Sequence, residues 1–359
     1  MKSNMLKYFL LLCVTYFTTN LSAEDIEING IYYNITSASK LTAEVTYKGN
    51  NPAEYLDEYE GDISIPDEIE YNGHLLKVTK IGNHAFMYCT NIQRIELPKN
   101  LSEIGTCAFN GCEELYSIKI PSAVEHIGAS AFTNTALTHI EIPVNVKSIK
   151  SDAFSYCKSL SSVYFANQST DIGEACFMEC TKLAHVQLPD KMGSIPSDMF
   201  KNCSSLINIS LPSTIKSIGT YAFYGCSNLH SIILPENLSY IGYYSFNACP
   251  KLEEIMVFCQ APPQIQSNTF SEMHFISVKL NVPEESLSQY QNSEFWGSFW
   301  NIKGFSPSSI NTPSNQNSKQ NNIFSTNGYP IKSDKTTENA LQELPNGIYI
   351  INGRKYIKH

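Results

Sequence analysis

The sequence is short of positive charge. Lys and Arg number 25 against 34 Asp and Glu, which gives a formal net charge of −9, and charged residues make up only 16% of the chain. No cluster of Lys and Arg interrupts this balance. An acidic surface repels the phosphates of nucleic acids and of anionic lipids. We therefore expect no nucleic acid partner and no binding to a charged membrane surface.

Long hydrophobic runs are also scarce. The apolar run at residues 8–17 is too short to span a bilayer, so no integral membrane span is predicted. Lys2 and Lys7 flank its start, and residues 21–23 (Leu-Ser-Ala) offer a small-residue cleavage site. Residues 1–23 are thus predicted to be a signal peptide. Cys13 follows Leu12, where a lipoprotein signal would have a small residue, so we do not expect a lipid anchor.

Motifs of catalysis are missing as well. The chain contains no H-E-x-x-H, no G-x-S-x-G, no glycine-rich phosphate loop and no EF-hand loop. Its paired carboxylates, such as Glu113 with Glu114, are adjacent in sequence and would face apart on a strand. We therefore predict that the protein is not an enzyme and uses no cofactor and no metal.

A short repeat of nearly constant length dominates what is present. Eight isoleucines start eight units, and every interval is 23 except one of 22; a phenylalanine follows each isoleucine by five residues. A cysteine follows that phenylalanine by three residues in seven units; Thr135 takes its place in the short unit. The isoleucines are Ile81, Ile104, Ile127, Ile149, Ile172, Ile195, Ile218 and Ile241. The unit is roughly I-G-x-x-A-F-x-x-C-x-x-L-x-x-I-x-L-P with five less constrained residues.

Each part of the unit predicts a local structure. The I-x-L-P portion alternates, as in residues 206–212, and predicts a half-buried strand that proline closes in six of eight units. The A-F-x-x-C spacing predicts one short α or 3₁₀ turn with Phe and Cys pointing inward. Since no unit can bury its apolar residues alone, the units must stack. We expect a strand-rich α/β repeat solenoid, a right-handed coil rising about 4.8 Å per turn.

Seven stacked cysteines in an exported chain raise the question of disulfides. Parallel stacking holds neighbouring Cβ atoms about 4.8 Å apart, farther than a disulfide allows. We expect buried, unreactive thiols, and cysteines that recur only once per unit lack the short ligand spacing of a zinc site. Cys107, Cys176 and Cys259 do not belong to this column of seven stacked cysteines. A redox role for Cys107 or Cys259 is the minor alternative.

The pattern resembles the BspA-like leucine-rich repeats, the type 5 class first recognised in bacterial surface antigens. The resemblance covers roughly residues 63–305 and uses all eight units. Lys150 and Pro196 replace the usual Gly, and Ala166 and Phe258 replace Pro, without putting a unit in doubt. In that family the segment after the last unit closes the solenoid, so Trp296 and Trp300 are expected in the core of a cap.

The ends of the chain depart from the repeat. Residues 24–62 predict an N-terminal β cap with a hairpin, residues 63–258 the repeats, and 259–305 a C-terminal capping repeat. Residues 306–322 have the composition of a solvated linker. Residues 323–359 predict strands joined by Asn-Gly turns and resemble the sorting domains of type IX secretion cargo; a small β module without a sorting role is the alternative.

The outward face of the sheet is the candidate site. An exposed Tyr164, Ile233 or Met256 would mark a protein partner, unless the C-terminal cap covers the last two. His139 and His185 should face solvent rather than bind metal. The candidate partner-binding residues are Arg94, Glu96, Lys119, His139, Glu141, Tyr164, His185, Gln187, Asn208, Ser210, Ile233 and Met256.

These features predict an exported binding protein. The resemblance implies a secreted or cell-surface leucine-rich-repeat protein that binds another protein and adheres to host or other cells. A sorting tail would add the secretion machinery as a partner. A periplasmic or envelope scaffold is the alternative, and an enzyme with an unrecognised site is a remote third.

Overall fold

A computed structural model describes residues 26–49, 51–54 and 57–306, and the backbone of four short strands between residues 323 and 358. The predicted signal peptide lies outside the described residues, as does the predicted linker except for Ser306.

The described chain is a strand-rich solenoid of about ten turns with few helices, as predicted. Two parallel ladders run along it. We call them the Ile ladder (β6, β8, β10, β12, β14, β16, β17 and β19) and the face ladder (β4, β7, β9, β11, β13, β15, β18, β20, β21 and β22). The strands are β1 (Ile26–Ile28), β2 (Ile31–Ser37), β3 (Thr42–Thr46), β4 (Gly61–Ser64), β5 (Glu68–Tyr71), β6 (His74–Ile81), β7 (Ile92–Glu96), β8 (Glu103–Ile104), β9 (Ser117–Ile118), β10 (His126–Ile127), β11 (His139–Ile142), β12 (Ser148–Ile149), β13 (Ser162–Phe165), β14 (Asp171–Ile172), β15 (His185–Gln187), β16 (Ser194–Ile195), β17 (Ser217–Ile218), β18 (Ser231–Leu234), β19 (Tyr240–Ile241), β20 (Glu254–Val257), β21 (Lys279–Pro283), β22 (Asn301–Phe305), β23 (Ile323–Ser325), β24 (Pro330–Ile331), β25 (Gly347–Ile351) and β26 (Arg354–Lys358).

A column of stacked phenylalanines forms the core. The rings are fully buried, with centroids 5.2 to 5.9 Å apart in successive units. Phe270 extends the column by a ninth ring, 5.4 Å from Phe246 and five residues after the buried Ile265. The sequence analysis missed this unit because Ile265 follows Ile241 at a longer interval than the repeat uses elsewhere. The column is Phe86, Phe109, Phe132, Phe154, Phe177, Phe200, Phe223, Phe246 and Phe270.

The segment around each phenylalanine is not helical. Hydrogen bonds from Met87 N to His84 O (3.1 Å) and from Cys89 N to Phe86 O (3.2 Å) close consecutive turns. His84 and Tyr88 have positive φ angles of 61° and 59°, which an α or 3₁₀ turn does not contain. Phe86 N meanwhile donates to Ala108 O of the next turn of the coil (2.8 Å). The predicted helical turn is therefore wrong in its backbone, although Phe and Cys do point inward.

Ten cysteines in the described chain are free and buried, as predicted. Each column thiol from Cys180 onward donates to the phenylalanine carbonyl of the preceding turn of the coil, as Cys203 Sγ does to Phe177 O (3.2 Å). Burial raises the pKa of the Cys157 thiol to about 11 and that of Cys249 to about 12. The cysteines off the column, Cys107, Cys176 and Cys259, are buried too.

Both ends of the solenoid are closed by strands. β1, β2 and β3 form an antiparallel meander, and β3 joins β6 in parallel, so the predicted hairpin leads into the Ile ladder. At the other end β21 and β22 continue the face ladder. The helices Glu272–Ser277 and Leu287–Gln291 and the 3₁₀ turns Glu284–Ser286 and Trp296–Ser298 cover the last core layer. The tail forms a separate four-stranded sheet in the order β24-β23-β25-β26.

The two tryptophans have different environments. Trp296 is buried, donates to Pro263 O (2.7 Å) and contacts Phe270, as expected for cap core. Trp300 is 77% exposed, so its predicted place in the core is wrong. Its backbone N–H donates to Phe275 O (2.8 Å), which fixes the backbone at the rim of the cap and leaves the ring in solvent.

Both ladders are interrupted between the units that begin at Ile172 and Ile195. The Ile ladder stops at β14 and restarts at β16, and the face ladder stops at β15 and restarts at β18; the face ladder alone is also unpaired between β9 and β11. In the other units the residue after the isoleucine donates to the preceding turn, as Gly219 N does to Ile195 O (2.8 Å) and as Lys150 N still does to Ile127 O (3.0 Å). Pro196 has no N–H to donate. We call this interruption the rung break.

Several features mark the rung break as an opening. Phe177 and Phe200 have the widest ring spacing in the column, 5.9 Å. Val186 and Leu211 are only half-buried, although their counterparts Val163 and Leu234 are buried. The turns on the phenylalanine side stay joined, with Ala175 N bonded to Ser197 O at 2.9 Å. Residues 206–212, which we predicted as a strand, form none. A surface cleft at the break is lined by Ser169, Thr170, Asp171, Ile172, Lys191, Met192, Gly193 and Ser194.

Candidate functional site

The outward positions of the face ladder form two neighbouring columns. β11, β13 and β15 pair His139 with Ser162 and His185, and Glu141 with Tyr164 and Gln187. The same register pairs Ile233 of β18 with Met256 of β20. Because alternate residues of a strand point to opposite faces, the inward residues between them are core. The candidate residues thus follow one another along a strip whose strand pairing is interrupted twice, between Lys119 and His139 and at the rung break between Gln187 and Ser210.

Most of the strip is open to solvent. Tyr164 is 36% and Ile233 54% exposed. The C-terminal cap therefore leaves Ile233 uncovered. Met256, His185 and Gln187 are half-buried. The other candidates are exposed: Arg94, Glu96, Lys119, His139, Glu141, Asn208 and Ser210.

The N-terminal part of the strip is charged and partly paired. Arg94 lies 3.6 Å from the Asp62 carboxylate and 5.9 Å from the ring of Tyr116. Ser64 donates to Glu96 (3.0 Å), and His139 Nδ1 lies 3.1 Å from the Thr138 hydroxyl. Exposed pairs of this kind contribute about 0 to 1 kcal/mol each and are easily exchanged for a partner's groups.

The middle of the strip carries side chains with no polar contact within the described chain. Lys119, Glu141, Tyr164 and Gln187 form no hydrogen bond and no ion pair with other described residues through their side chains. The donors, acceptors and phenol ring of this section are therefore open to an external ligand.

The C-terminal part of the strip is apolar and bordered by charge. Ile233 and Met256 lie side by side, and the exposed Ile207 (47%) adds a third apolar side chain near the rung break. Glu254 accepts hydrogen bonds from Lys279 and Asn281, both 2.8 Å, and the bond from Lys279 holds the pKa of Glu254 below its ordinary value. This section presents an apolar spot beside a neutralised charge.

Sequence reasoning missed Ile207. Its position precedes the outward columns and is exposed in most units, as it is at Gln93, Tyr116 and Ser161; Ile207 differs from these counterparts in being aliphatic. Sequence reasoning also missed a group of tyrosines on the turn side of the solenoid. Their recurrence at Tyr221 and Tyr244, one repeat apart, was the available signal.

Within the described residues, no group of three or more His, Cys, Asp or Glu side chains is arranged to hold a metal ion. Nor do the described helices include one with the length and apolarity needed to cross a membrane.

Comparison with known proteins identifies the family of the repeat. The family described as the BspA type leucine rich repeat region matches residues 79–207 and 193–329, with six copies of the repeat. The chain belongs to this family. No curated protein matches it.

Among solved structures, a leucine-rich repeat protein from Bacteroides ovatus is 24% identical, with a TM-score of 0.50 over 79% of this chain and 89% of that chain. A leucine-rich repeat protein from T. pallidum is 23% identical, with a TM-score of 0.48 over 64% of this chain and 91% of that chain. The Bacteroides ovatus likeness agrees with the solenoid fold; at these identities neither says more than that.

Proposed function

We propose that this protein is a non-catalytic, exported leucine-rich-repeat protein that binds another protein through the outward strip of the face ladder, and that it serves in adhesion at the cell surface. The observation that carries the proposal is the exposed, largely unpaired strip that runs from Glu141 through Tyr164 and Gln187 to Ile233.

The composition of the strip suits a protein partner. A tyrosine near its middle offers a large rigid contact area with a hydroxyl that can form a hydrogen bond. Ile233 and Met256 add an apolar spot, and the charged N-terminal part can supply a polar rim. Single exposed apolar residues are common, but two side by side in register, as Ile233 and Met256 are, form a contiguous apolar spot of the kind that a protein partner covers.

The experiment is a pull-down with the full exported chain as bait, from host-cell extract and from extracellular matrix, followed by mass spectrometry. Tyr164→Ala combined with Gln187→Ala should reduce capture of a specific partner at least about tenfold, the loss expected from one central contact. Thermal stability should change little because both side chains lie outside the core.

The control is Leu75→Ala, which removes an exposed apolar side chain (59%) outside the two columns. It should leave capture unchanged. Equal capture by wild type and the double variant would reject the strip as the binding surface.

Location is tested separately. Amino-terminal sequencing of the exported protein should begin at Glu24 if residues 1–23 are a signal peptide. Surface labelling of intact cells should reach the chain if the tail directs it across the outer membrane. An intact chain confined to the periplasm would contradict adhesion and favour an envelope scaffold.

A further inference from the structure

A group of four tyrosines lies on the turn side of the solenoid, away from the outward strip. Tyr221 and Tyr244 stack in adjacent units with ring centroids 5.1 Å apart and planes 5° apart, and Tyr224 meets Tyr221 edge-on at 5.4 Å. Tyr243, next to Tyr244, is 47% exposed. We call these residues the tyrosine cluster.

Two of these tyrosines have an unfavourable backbone conformation. Tyr221 and Tyr244 have φ angles of 55° and 56°, a region that bulky residues rarely adopt. The repeat requires positive φ at this position, which Asp152 and Asp198 occupy in two earlier units and smaller or less bulky residues in the others (His84, Cys107, Ser130 and Ala175). Asp and Asn tolerate this conformation far better than Tyr does. The fold would thus accept a less strained residue at both positions, and it carries aromatic rings instead.

The cluster already holds one cation. The Lys201 ammonium lies 4.7 Å from the centre of the Tyr221 ring and 2.7 Å from the Asp198 carboxylate. Aromatic faces attract ammonium and guanidinium groups by about 0.5 to 2 kcal/mol, depending on exposure. Tyr221 and Asp198 therefore form a site that suits a cation, and the Lys201 side chain of the protein itself occupies it.

The neighbouring units on the same side are acidic. Burial, followed by repulsion from Asp198, raises the pKa of the Asp152 carboxyl to about 6, and Glu174 adds to that repulsion. Glu179 accepts a hydrogen bond from Asn202 (2.5 Å) beside them. Carboxyl groups thus lie on the turns that precede the tyrosine cluster, in a chain whose net charge is −9.

We infer that the tyrosine cluster and the carboxylates beside it form a second binding surface, and that its partner is an extended polypeptide segment carrying Lys or Arg at alternate positions. An incoming cation displaces Lys201 from the Tyr221 ring and from Asp198, and a second cation pairs with Glu179. Side chains on one side of an extended segment recur about every 6.8 Å, and the flexible stems of Lys and Arg can span the difference from the 5.1 Å between the stacked rings. This surface is separate from the outward strip and goes beyond the function proposed above.

The test measures binding of a labelled octapeptide that alternates Lys and Ser to the full chain, by fluorescence anisotropy at low salt. The same peptide with Gln for Lys is the control probe. Tyr244→Asn, which removes the ring and keeps a residue suited to positive φ, should weaken binding about three- to tenfold. Lys201→Gln should tighten binding by a similar factor, because it vacates the ring of Tyr221 and frees Asp198.

Two variants that each remove one negative charge distinguish specific binding at the cluster from general attraction of the peptide to an acidic protein. Asp198→Asn and Glu141→Gln remove the same charge, one at the cluster and one on the outward strip. The first should weaken binding and the second should not. Equal effects of the two, or unchanged affinity in Tyr244→Asn, would overturn the inference.

A neutral glucan oligosaccharide serves as the competing ligand. If the chain bound the oligosaccharide and not the Lys-Ser peptide, the cluster would be a saccharide platform and the inference would be wrong. Tyr164→Ala should leave peptide binding intact, so failure here is distinguishable from failure of the outward strip.

Discussion

At the scale of single residues, the backbone of the phenylalanine turns is the least expected feature. Each unit places residues with positive φ two before and two after its phenylalanine, and most of them are not glycine. Left-handed conformations cost L-residues about 1 to 2 kcal/mol each. Hydrogen bonds to the next turn of the coil, such as Tyr88 N to Asn110 O (2.7 Å), hold them in place. Hydrogen bonds that form only when the turns stack therefore offset this backbone strain.

The phenylalanine column makes a residue-scale prediction. Phe177→Ala should lower the free energy of unfolding by about 3 to 5 kcal/mol, since it empties a fully buried position between two stacked rings. Urea denaturation followed by circular dichroism measures the change. Tyr164→Ala, on an exposed position in the same part of the chain, should change it by less than about 0.5 kcal/mol. A small loss for Phe177→Ala would show that the core relaxes around the cavity.

At the scale of elements, the spacing between turns of the coil depends on the glycine after each isoleucine. A Cβ placed on Gly128 would lie 2.5 Å from the carbonyl carbon of Gly105, and one on Gly105 would lie 2.7 Å from Asn83 N. Neighbouring turns therefore approach too closely for a side chain. Pro196 violates this rule and also lacks the N–H; since Lys150 violates the rule too without breaking the Ile ladder, the missing N–H is what distinguishes the rung break. Lys150 violates it but keeps its hydrogen bond.

The rung break makes an element-scale prediction. In most units of the Ile ladder the residue three before the glycine position donates to the preceding turn, as Lys216 N does to Gly193 O (2.8 Å); in the unit of Gly173 the donor is Asp171. Gly193 N forms no such bond to Thr170 O within the described chain. Its amide should exchange with solvent at least about tenfold faster than that of Lys216, because an open amide is less protected. Pro196→Gly should slow this exchange by restoring a ladder donor.

Lys150→Gly is the matched control, because Lys150 already donates to Ile127 O. It should leave the exchange of the Gly193 amide unchanged. Hydrogen exchange read by mass spectrometry on peptides around residues 169–174 and 190–196 gives both values. Fast exchange that persists in Pro196→Gly would assign the break to some cause other than this residue.

At the scale of the whole molecule, the core holds nine buried thiols with raised pKa values, and burial is the largest cause for each. An unfolded thiol ionises around its ordinary value of 9.0, whereas the folded Cys89 and Cys157 stay protonated to about 11. Between these values the unfolded chain binds fewer protons than the folded one. The thiols' contribution to stability is therefore complete below pH 9 and is lost as the pH rises above it.

The predicted outcome is a steep alkaline transition. In reducing buffer the urea midpoint should fall sharply between pH 9 and about 10.5, since each thiol contributes up to about 1.4 kcal/mol per pH unit. Cys180→Thr with Cys203→Thr should make the fall shallower, and Thr135 shows that a hydroxyl is accepted in the column. A midpoint that stayed flat to pH 10.5 would mean that the thiols ionise without unfolding.

The sequence foresaw the repeat, the buried Ile and Phe columns and the outward strip well, because each depends on a local pattern. Ile81 and Phe86 are buried and Tyr164 is exposed, as the period of the repeat required. The rest depended on contacts between distant residues. Trp300 was assigned to the core from the family resemblance of its segment, and the gap in the Ile ladder after β14 depends on hydrogen bonds between turns of the coil.

The amino-acid sequence by itself determined that this chain coils in short units of nearly equal length, because no single unit can bury its own Ile, Phe and Cys. Only the tertiary structure decided where the coil opens and which aromatic rings reach solvent. A hydrogen-bond ladder joins two neighbouring turns, so the missing N–H donor at Pro196 interrupts the pairing of β14 with β16, which lie far apart in sequence.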